Sequence, residues 1–234
     1  MVNPQPDLDK RAFLQPTVFG RLGPALLDEV AACARVERFD LPTLLNAAGT
    51  PLQTLRLVVA GHIEIVARRA SGKEVAVSDI GPGAWATWLP CFIPTPLEHD
   101  FYCGAASCFI TLPVKEVRRF CEEHPALYPW ILAEIGQRLR LLMEWTGQSV
   151  LVGPEQRMAK LIHILARDQK MQGNIGTLHV NQARMAALAR CSRQSANTLL
   201  KSLEKRGLIR LAYGRFEIPD RAQLGAFADD ELRE

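Results

Sequence analysis

Between Asn181 and Gly207 the chain reads NQARMAALARCSRQSANTLLKSLEKRG, and its polar members are spaced for one kind of chemistry, the reading of base edges. If Leu199, Leu200 and Leu203 face a core, then Arg193, Gln194, Asn197, Thr198 and Lys201 fall on the opposite side of the same helix. Arginine can grip O6 and N7 of guanine with two parallel N–H bonds, and glutamine or asparagine can grip N6 and N7 of adenine. A solvated helix face carries similar residues, so the surrounding elements have to decide between the two readings.

Those elements are legible. Asn181 is a good N-cap, because its side-chain oxygen can accept a first-turn amide hydrogen. Met185, Leu188 and Ala189 then recur at the spacing of a buried helix face. Arg190-Cys191 breaks that pattern, Ser192 can cap a second helix, and Gly207 suits its left-handed end. After Gly207, Leu208–Leu211 and Phe216–Ile218 read as two short strands joined at Tyr213-Gly214. Two helices followed by a hairpin make a winged helix-turn-helix. In that arrangement Arg193 and Gln194 are the principal base readers, with Asn197 and Thr198 one turn further along. Asn181, Gln182, Ser192, Ser195, Lys201 and, at the wing, Arg215 with Arg210 are placed to hold phosphates.

The charge distribution agrees. Residues 154–219 hold twelve Lys/Arg against four Asp/Glu, which is +8 inside a chain of +3, so the remainder is net −5. A field so concentrated suits a polyanion, which releases counterions on binding.

Ser192-Arg193-Gln194-Ser195, then Leu199-Leu200, then Leu203 through Ile209 (LEKRGLI) resembles the DNA-binding signature of the Crp/Fnr superfamily of bacterial regulators. The resemblance is sharpest over residues 180–219 and extends less sharply over most of the chain from Phe19. It departs from the family at Arg190, where many members have Gly; a left-handed Arg there would cost about 1 kcal/mol. Many members also have Glu where Gln194 stands and Arg where Thr198 stands, so the preferred half-site should differ. The resemblance implies double-stranded DNA, a second copy of the chain and RNA polymerase as partners.

Over all 234 residues the chain is 48% apolar, enough for two cores. No apolar run is long enough to span a membrane, and the first fifteen residues lack a hydrophobic signal core, so a cytoplasmic protein is expected. Six scattered cysteines should then be free thiols. Residues 1–16, with three prolines, read as a loose arm, followed by a short helix around LGPALLDEVAACARV. From about Glu37 to Leu112 the pattern is β. Leu57, Val59, Ile63 and Ile65 alternate with the opposite face, residues 70–73 turn, Val75 and Val77 resume, and Gly81-Pro82-Gly83 closes the unit. Short antiparallel strands at this spacing suggest a jelly-roll-like β-roll, and in the resembling family this is the effector domain, built like a cyclic-nucleotide-binding domain.

Val114–Glu123 reads as a short helix and residues 125–150 as a long one. Leu127, Ile131, Ile135, Leu139 and Leu142 form a stripe that can line a core or pair with its copy; the dimer is favoured, because helix-turn-helix proteins read paired half-sites. The fold class is therefore α+β. It comprises a sensor β-roll over residues 17–124, a dimerisation helix over 125–152 and a winged helix-turn-helix over 153–234.

Cyclic-nucleotide-binding members carry a Glu for the ribose and an Arg for the cyclic phosphate. Here the corresponding stretch is Ala86-Thr87-Trp88, and no Arg lies between Arg69 and Arg118. Without that charge-assisted partner, cyclic AMP is not expected to bind in the family's manner. The region is instead aromatic: Trp85, Trp88, Phe92, Phe101 and Tyr102 are either packed core or the lining of a pocket for a small effector. Cys91, His99, Cys103 and Cys108 raise a haem, metal or thiol sensor as an alternative, but the N-terminal cysteine group of the family's iron-sulfur branch is missing, since no Cys precedes Cys33. No cofactor is expected. An enzyme is the alternative of another class; no nucleophile elbow, phosphate-binding glycine loop or paired-carboxylate site supports it, and the histidines sit in no catalytic setting.

Overall fold

The computed structural model describes residues 8–68, 74–148, 152–168, 173–178, 180, 182–189, 191–212 and 214–229. The chain forms two compact units, one of Met1–Glu64 with Pro82–Ile135 and one of Ile65–Gly81 with Gly136–Glu234.

The first unit opens with α1 (Lys10–Leu14), capped by Asp9, whose carboxylate accepts the Ala12 amide hydrogen at 3.2 Å. This helix lies inside the stretch expected as a loose arm. Leu14 is fully buried, as is Phe19 in the 3-10 turn Val18–Leu22, and burying both anchors the segment from Lys10 onward. In α2 (Pro24–Cys33), Gly23 supplies a φ of +102° and Pro24 the preset first turn, while Leu26, Leu27 and Val30 face inward.

The antiparallel β-roll follows. One sheet has the order β1 (Arg35–Phe39), β7 (Ser107–Pro113), β3 (Thr54–Ala60), with β7 central because Phe109, Ile110 and Leu112 are all buried. The other runs β2 (Thr43–Asn46), β6 (Asp100–Cys103), β4 (Ile63–Arg68), and β4 continues into a hairpin with β5 (Glu74–Ile80). The turn expected over residues 70–73 lies outside the described residues. Between the strands stands α3 (Leu89–Phe92), and after β7 comes α4 (Val114–Glu123), with Val117, Phe120 and Cys121 buried.

A 3-10 turn, Pro125–Leu127, leads into α5 (Tyr128–Gln148). The stripe foreseen as a dimer seam divides here. Leu127 and Ile131 are 0% and 1% exposed within the single chain, so their own core covers them and they are not available to a partner. Leu132, Leu139, Leu142 and Met143 are 55–64% exposed. The free apolar face thus starts later and steps through 132, half-buried Ile135, 139 and 142, the three-four alternation of a coiled-coil seam.

The second unit takes in β5 from the segment Ile65–Gly81 and holds α6 (Pro154–Asp168), β8 (Gly176–Leu178), α7 (Gln182–Leu188), α8 (Arg193–Lys205), β9 (Arg210–Ala212), β10 (Arg215–Ile218) and α9 (Arg221–Asp229). Its core joins Met158, Ile162, Met185, Leu200, Leu203 and Phe216, and Ala76 of β5 packs into it. The wing is a three-stranded sheet of order β8-β10-β9, one strand more than the hairpin read from the sequence. Among the described residues no helix is long and apolar enough to cross a membrane.

Candidate nucleic-acid interface

The presentation of α8 is fixed at both ends. Ser192, extended at φ −68° and ψ 154°, accepts the Ser195 amide hydrogen at 3.0 Å. At the other end Gly207, at φ +73°, donates to Glu204 O, and Leu208 N–H reaches Leu203 O at 3.1 Å. This pair of bonds, with Leu203 and Leu208 both buried, is a Schellman end that only a left-handed residue allows cheaply. The joint before α8 is equally tight, since Cys191 N–H reaches back to Ala186 O at 3.0 Å. Asn181, Arg190 and Tyr213 lie outside the described residues.

Between these ends Ala196, Leu200 and Leu203 are buried and Leu199 packs against them. Arg193, Gln194, Ser195, Thr198 and Lys201 are exposed, and Asn197 is half-buried. The base-reading candidates thus occupy one open face. They are not equivalent: Thr198 already donates its hydroxyl hydrogen to Gln194 O at 3.0 Å, which leaves it an acceptor, and Ser195 shares its hydroxyl with Ser192 at 2.8 Å. Gln182 is exposed at the start of α7, and Lys201 at the middle of α8. In the wing Arg210 is exposed, while Arg215 is half-exposed and lies 3.6 Å from Glu217, a loose pairing a phosphate can compete with.

Other cations of this unit serve its structure. Lys160, 2% exposed, donates to Asp229 at 2.6 Å and ties α6 to α9. Arg206 donates to Glu155 at 3.1 Å and lies over the Phe227 ring at 5.1 Å. Glu155 also accepts from Ser202 at 2.6 Å, and Glu204 accepts the Leu211 amide at 2.8 Å, so carboxylates brace the back of α8 and its link to the wing. Sequence reasoning missed these braces, because a Glu in a first turn and another in a Leu-Glu-Lys-Arg run look like solvated surface.

In the first unit two of the five aromatic residues expected as core or pocket lining, Trp85 and Trp88, are packed core. Trp85 and Trp88 are 0% and 1% exposed and pack on one another at 5.5 Å between centroids, and on Phe19 at 5.7 and 6.0 Å. The Trp88 indole N–H donates to Glu134 of α5 at 2.7 Å. Phe92 stacks near Tyr128, Phe101 is buried and Tyr102 is half-buried in β6. Burial pushes the Cys91 thiol up to about 12 despite the nearby Arg118, and burial pushes Cys121 up to about 11. Arg118 donates to the Cys91 carbonyl at 2.5 Å. Among the described residues no three His, Cys, Asp or Glu side chains gather into a metal-holding group.

Comparison with known proteins matches residues 156–227 to the Crp-like helix-turn-helix domain. The chain is similar to the cAMP-activated global transcriptional regulator CRP of Escherichia coli, 21% identical over 177 residues, 74% of this chain and 84% of that one. It is also similar to the CRP-like protein Clp of Xanthomonas euvesicatoria, 22% identical over 191 residues, 78% of this chain and 83% of the relative. FixK2 from Bradyrhizobium japonicum shares the fold, with a TM-score of 0.70 at 10% identity over 83% of this chain and 96% of that one. Residues 156–227 therefore carry a Crp-like helix-turn-helix domain, and over most of its length the chain is similar to transcription regulators of the Crp type.

Proposed function

We propose that this regulator binds a pseudo-palindromic site as a homodimer, each copy laying α8 in the major groove. The observation that carries the reading is the division of α8 into a buried face of Ala196, Leu200 and Leu203 and an exposed face of Arg193, Gln194, Thr198 and Lys201. Arg193 and Gln194 read bases, Asn197 and Thr198 read or exclude them one turn on, and Asn181, Gln182, Ser192, Ser195, Lys201 and Arg215 hold the backbone. The late face of α5, Leu132, Ile135, Leu139 and Leu142, is the dimer seam; its exposed leucines need a cover, and a second copy brings the two α8 helices to successive groove turns about 34 Å apart. Residues 17–124 form the sensor, 125–152 the dimerisation segment and 153–234 the DNA-binding domain, which acts through contact with RNA polymerase.

The sensor does not take cyclic AMP in the manner its relatives' name describes. Trp88 fills the place where the resemblance puts the ribose-holding Glu, and its indole is already bonded to Glu134. Arg118 is engaged by the Cys91 carbonyl, and no other Arg lies between it and Arg69.

Fluorescence anisotropy with genomic fragments, with and without cyclic AMP, tests both parts. Specific, salt-sensitive binding unchanged by millimolar cyclic AMP is the expected result. Saturable micromolar binding of cyclic AMP would overturn the second part, and turnover of a substrate without DNA binding would overturn the first.

A further inference from the structure

α3 carries apolar side chains on the side turned away from its own core. Cys91 is fully buried and Arg118 donates to its carbonyl, which fixes this short helix from beneath. Ile93 N–H reaches Leu89 O at 3.0 Å, so Leu89 and Ile93 stand one above the other, opposite Cys91, and they are 51% and 42% exposed. Phe92, next to them around the turn, brings its ring to 6.0 Å from that of Tyr128. The apolar patch of α3 therefore borders the first turn of α5.

α5 is held against the same unit by one side only. Ile131 is buried, and Glu134 accepts the Trp88 indole N–H. Steps of four and three from Tyr128 pass through Leu132, Ile135, Leu139 and Leu142, and these five lie within about 40° of one line along the helix. Tyr128 and Leu132 are 38% and 63% exposed, so the free stripe reaches back to the turn that Phe92 touches. Two heptads of stripe are short of the about 800 Å² that a stable interface buries on each partner. Leu89 and Ile93 add apolar area continuous with its first turn, and a second copy of the chain brings a matching face to the same level. In a parallel pairing about a two-fold axis, equal turns of the two helices meet with their axes about 8–10 Å apart. What flanks Tyr128 in one copy then comes within side-chain reach of the other.

We infer that α3 is part of the contact between copies: Leu89 and Ile93 pack against Tyr128 and Leu132 of the partner subunit. The contact rests on the two-copy reading of α5 and adds to it, since it places one end of the aromatic sensor stretch of each copy on the other copy's helix.

Sedimentation equilibrium of the full chain over a dilution series tests it. Leu89→Gln with Ile93→Gln should raise the dimer dissociation constant at least about tenfold while the circular-dichroism spectrum is unchanged. Leu41→Gln with Leu44→Gln removes comparably exposed leucines from β2 and the turn before it, and should leave the constant as it is. Benzoylphenylalanine in place of Leu89, irradiated in a mixture of isotope-labelled and unlabelled chains, should join to residues 128–132 of the other copy. A dimer abolished by Leu139→Asp yet indifferent to Leu89→Gln with Ile93→Gln would overturn the α3 contact alone and leave the patch to an effector or another protein. Equal weakening by the Leu41 and Leu44 pair, or crosslinks confined within one chain, would overturn it as well. A wild-type chain that stays monomeric throughout would overturn the two-copy reading, and the α3 contact with it.

Discussion

Glu155 in the first turn of α6 accepts the Ser202 hydroxyl of α8 at 2.6 Å and the Arg206 guanidinium at 3.1 Å. One carboxylate thereby clamps the helix assigned to base reading from behind. Glu155→Ala should cost about 1–2 kcal/mol, since both bonds are charge-assisted but Arg206 is half in solvent. Urea denaturation measures the loss, and unchanged stability would show that the clamp is ornamental.

Arg193→Ala and Lys201→Ala should fail differently. Losing a bidentate guanine contact costs about 1–3 kcal/mol and relaxes preference at one position of the half-site. Losing Lys201 should lower affinity on all sequences and reduce the salt slope by about one. Anisotropy on specific and scrambled duplexes at several salt concentrations separates the two. Equal loss on both duplexes for Arg193→Ala would remove it from the base-reading set.

Leu139→Asp places a carboxylate in the middle of the free face of α5 without touching the buried Leu127 and Ile131. Sedimentation should shift from dimer to monomer, and half-site cooperativity should disappear while the circular-dichroism spectrum persists. A dimer that survives this change lies on another surface.

The protein should lose stability in alkali through Cys91. Its thiol is held up to about 12 by burial, above an ordinary value of 9.0. A raised folded value means that stability is full below the unfolded thiol's range and is lost as pH climbs from about 9 toward about 12, where only the unfolded chain ionises. Cys91→Ala should cost some packing at every pH but flatten that alkaline decline. Urea midpoints at pH 7 and 10.5 for both proteins give the comparison; parallel declines would contradict the burial argument.

What the sequence disclosed follows from which signals are local. Ser192, Gly207 and the Leu199–Leu203 spacing act within a few residues, so both ends of α8 and its buried side could be read directly. The strand β8 could not, because three residues, Gly176–Leu178, carry too little pattern and gain their place by pairing with β10. The apolar stripe on α5 could be read only in part: periodicity locates it but not which half of it the chain covers by itself, and Leu127 and Ile131 are covered. Glu155, Glu204 and Asp229 were invisible for a related reason, since their partners lie on other elements and a lone acid on a helix looks solvated. The aromatic stretch from Trp85 to Tyr102 could be core or pocket lining from composition alone, and the packing of Trp85 and Trp88 on Phe19 is a relation across the fold.

The central claim is that two copies of the α8 face grip one duplex. Selection of binding sites from a random library, followed by analytical ultracentrifugation on the selected duplex, tests it most directly. The account predicts an enriched inverted repeat with half-sites about one helical turn apart, bound by two chains, with the repeat weakened in both halves by Arg193→Ala. No enrichment, or one chain per duplex on a site without symmetry, would contradict it.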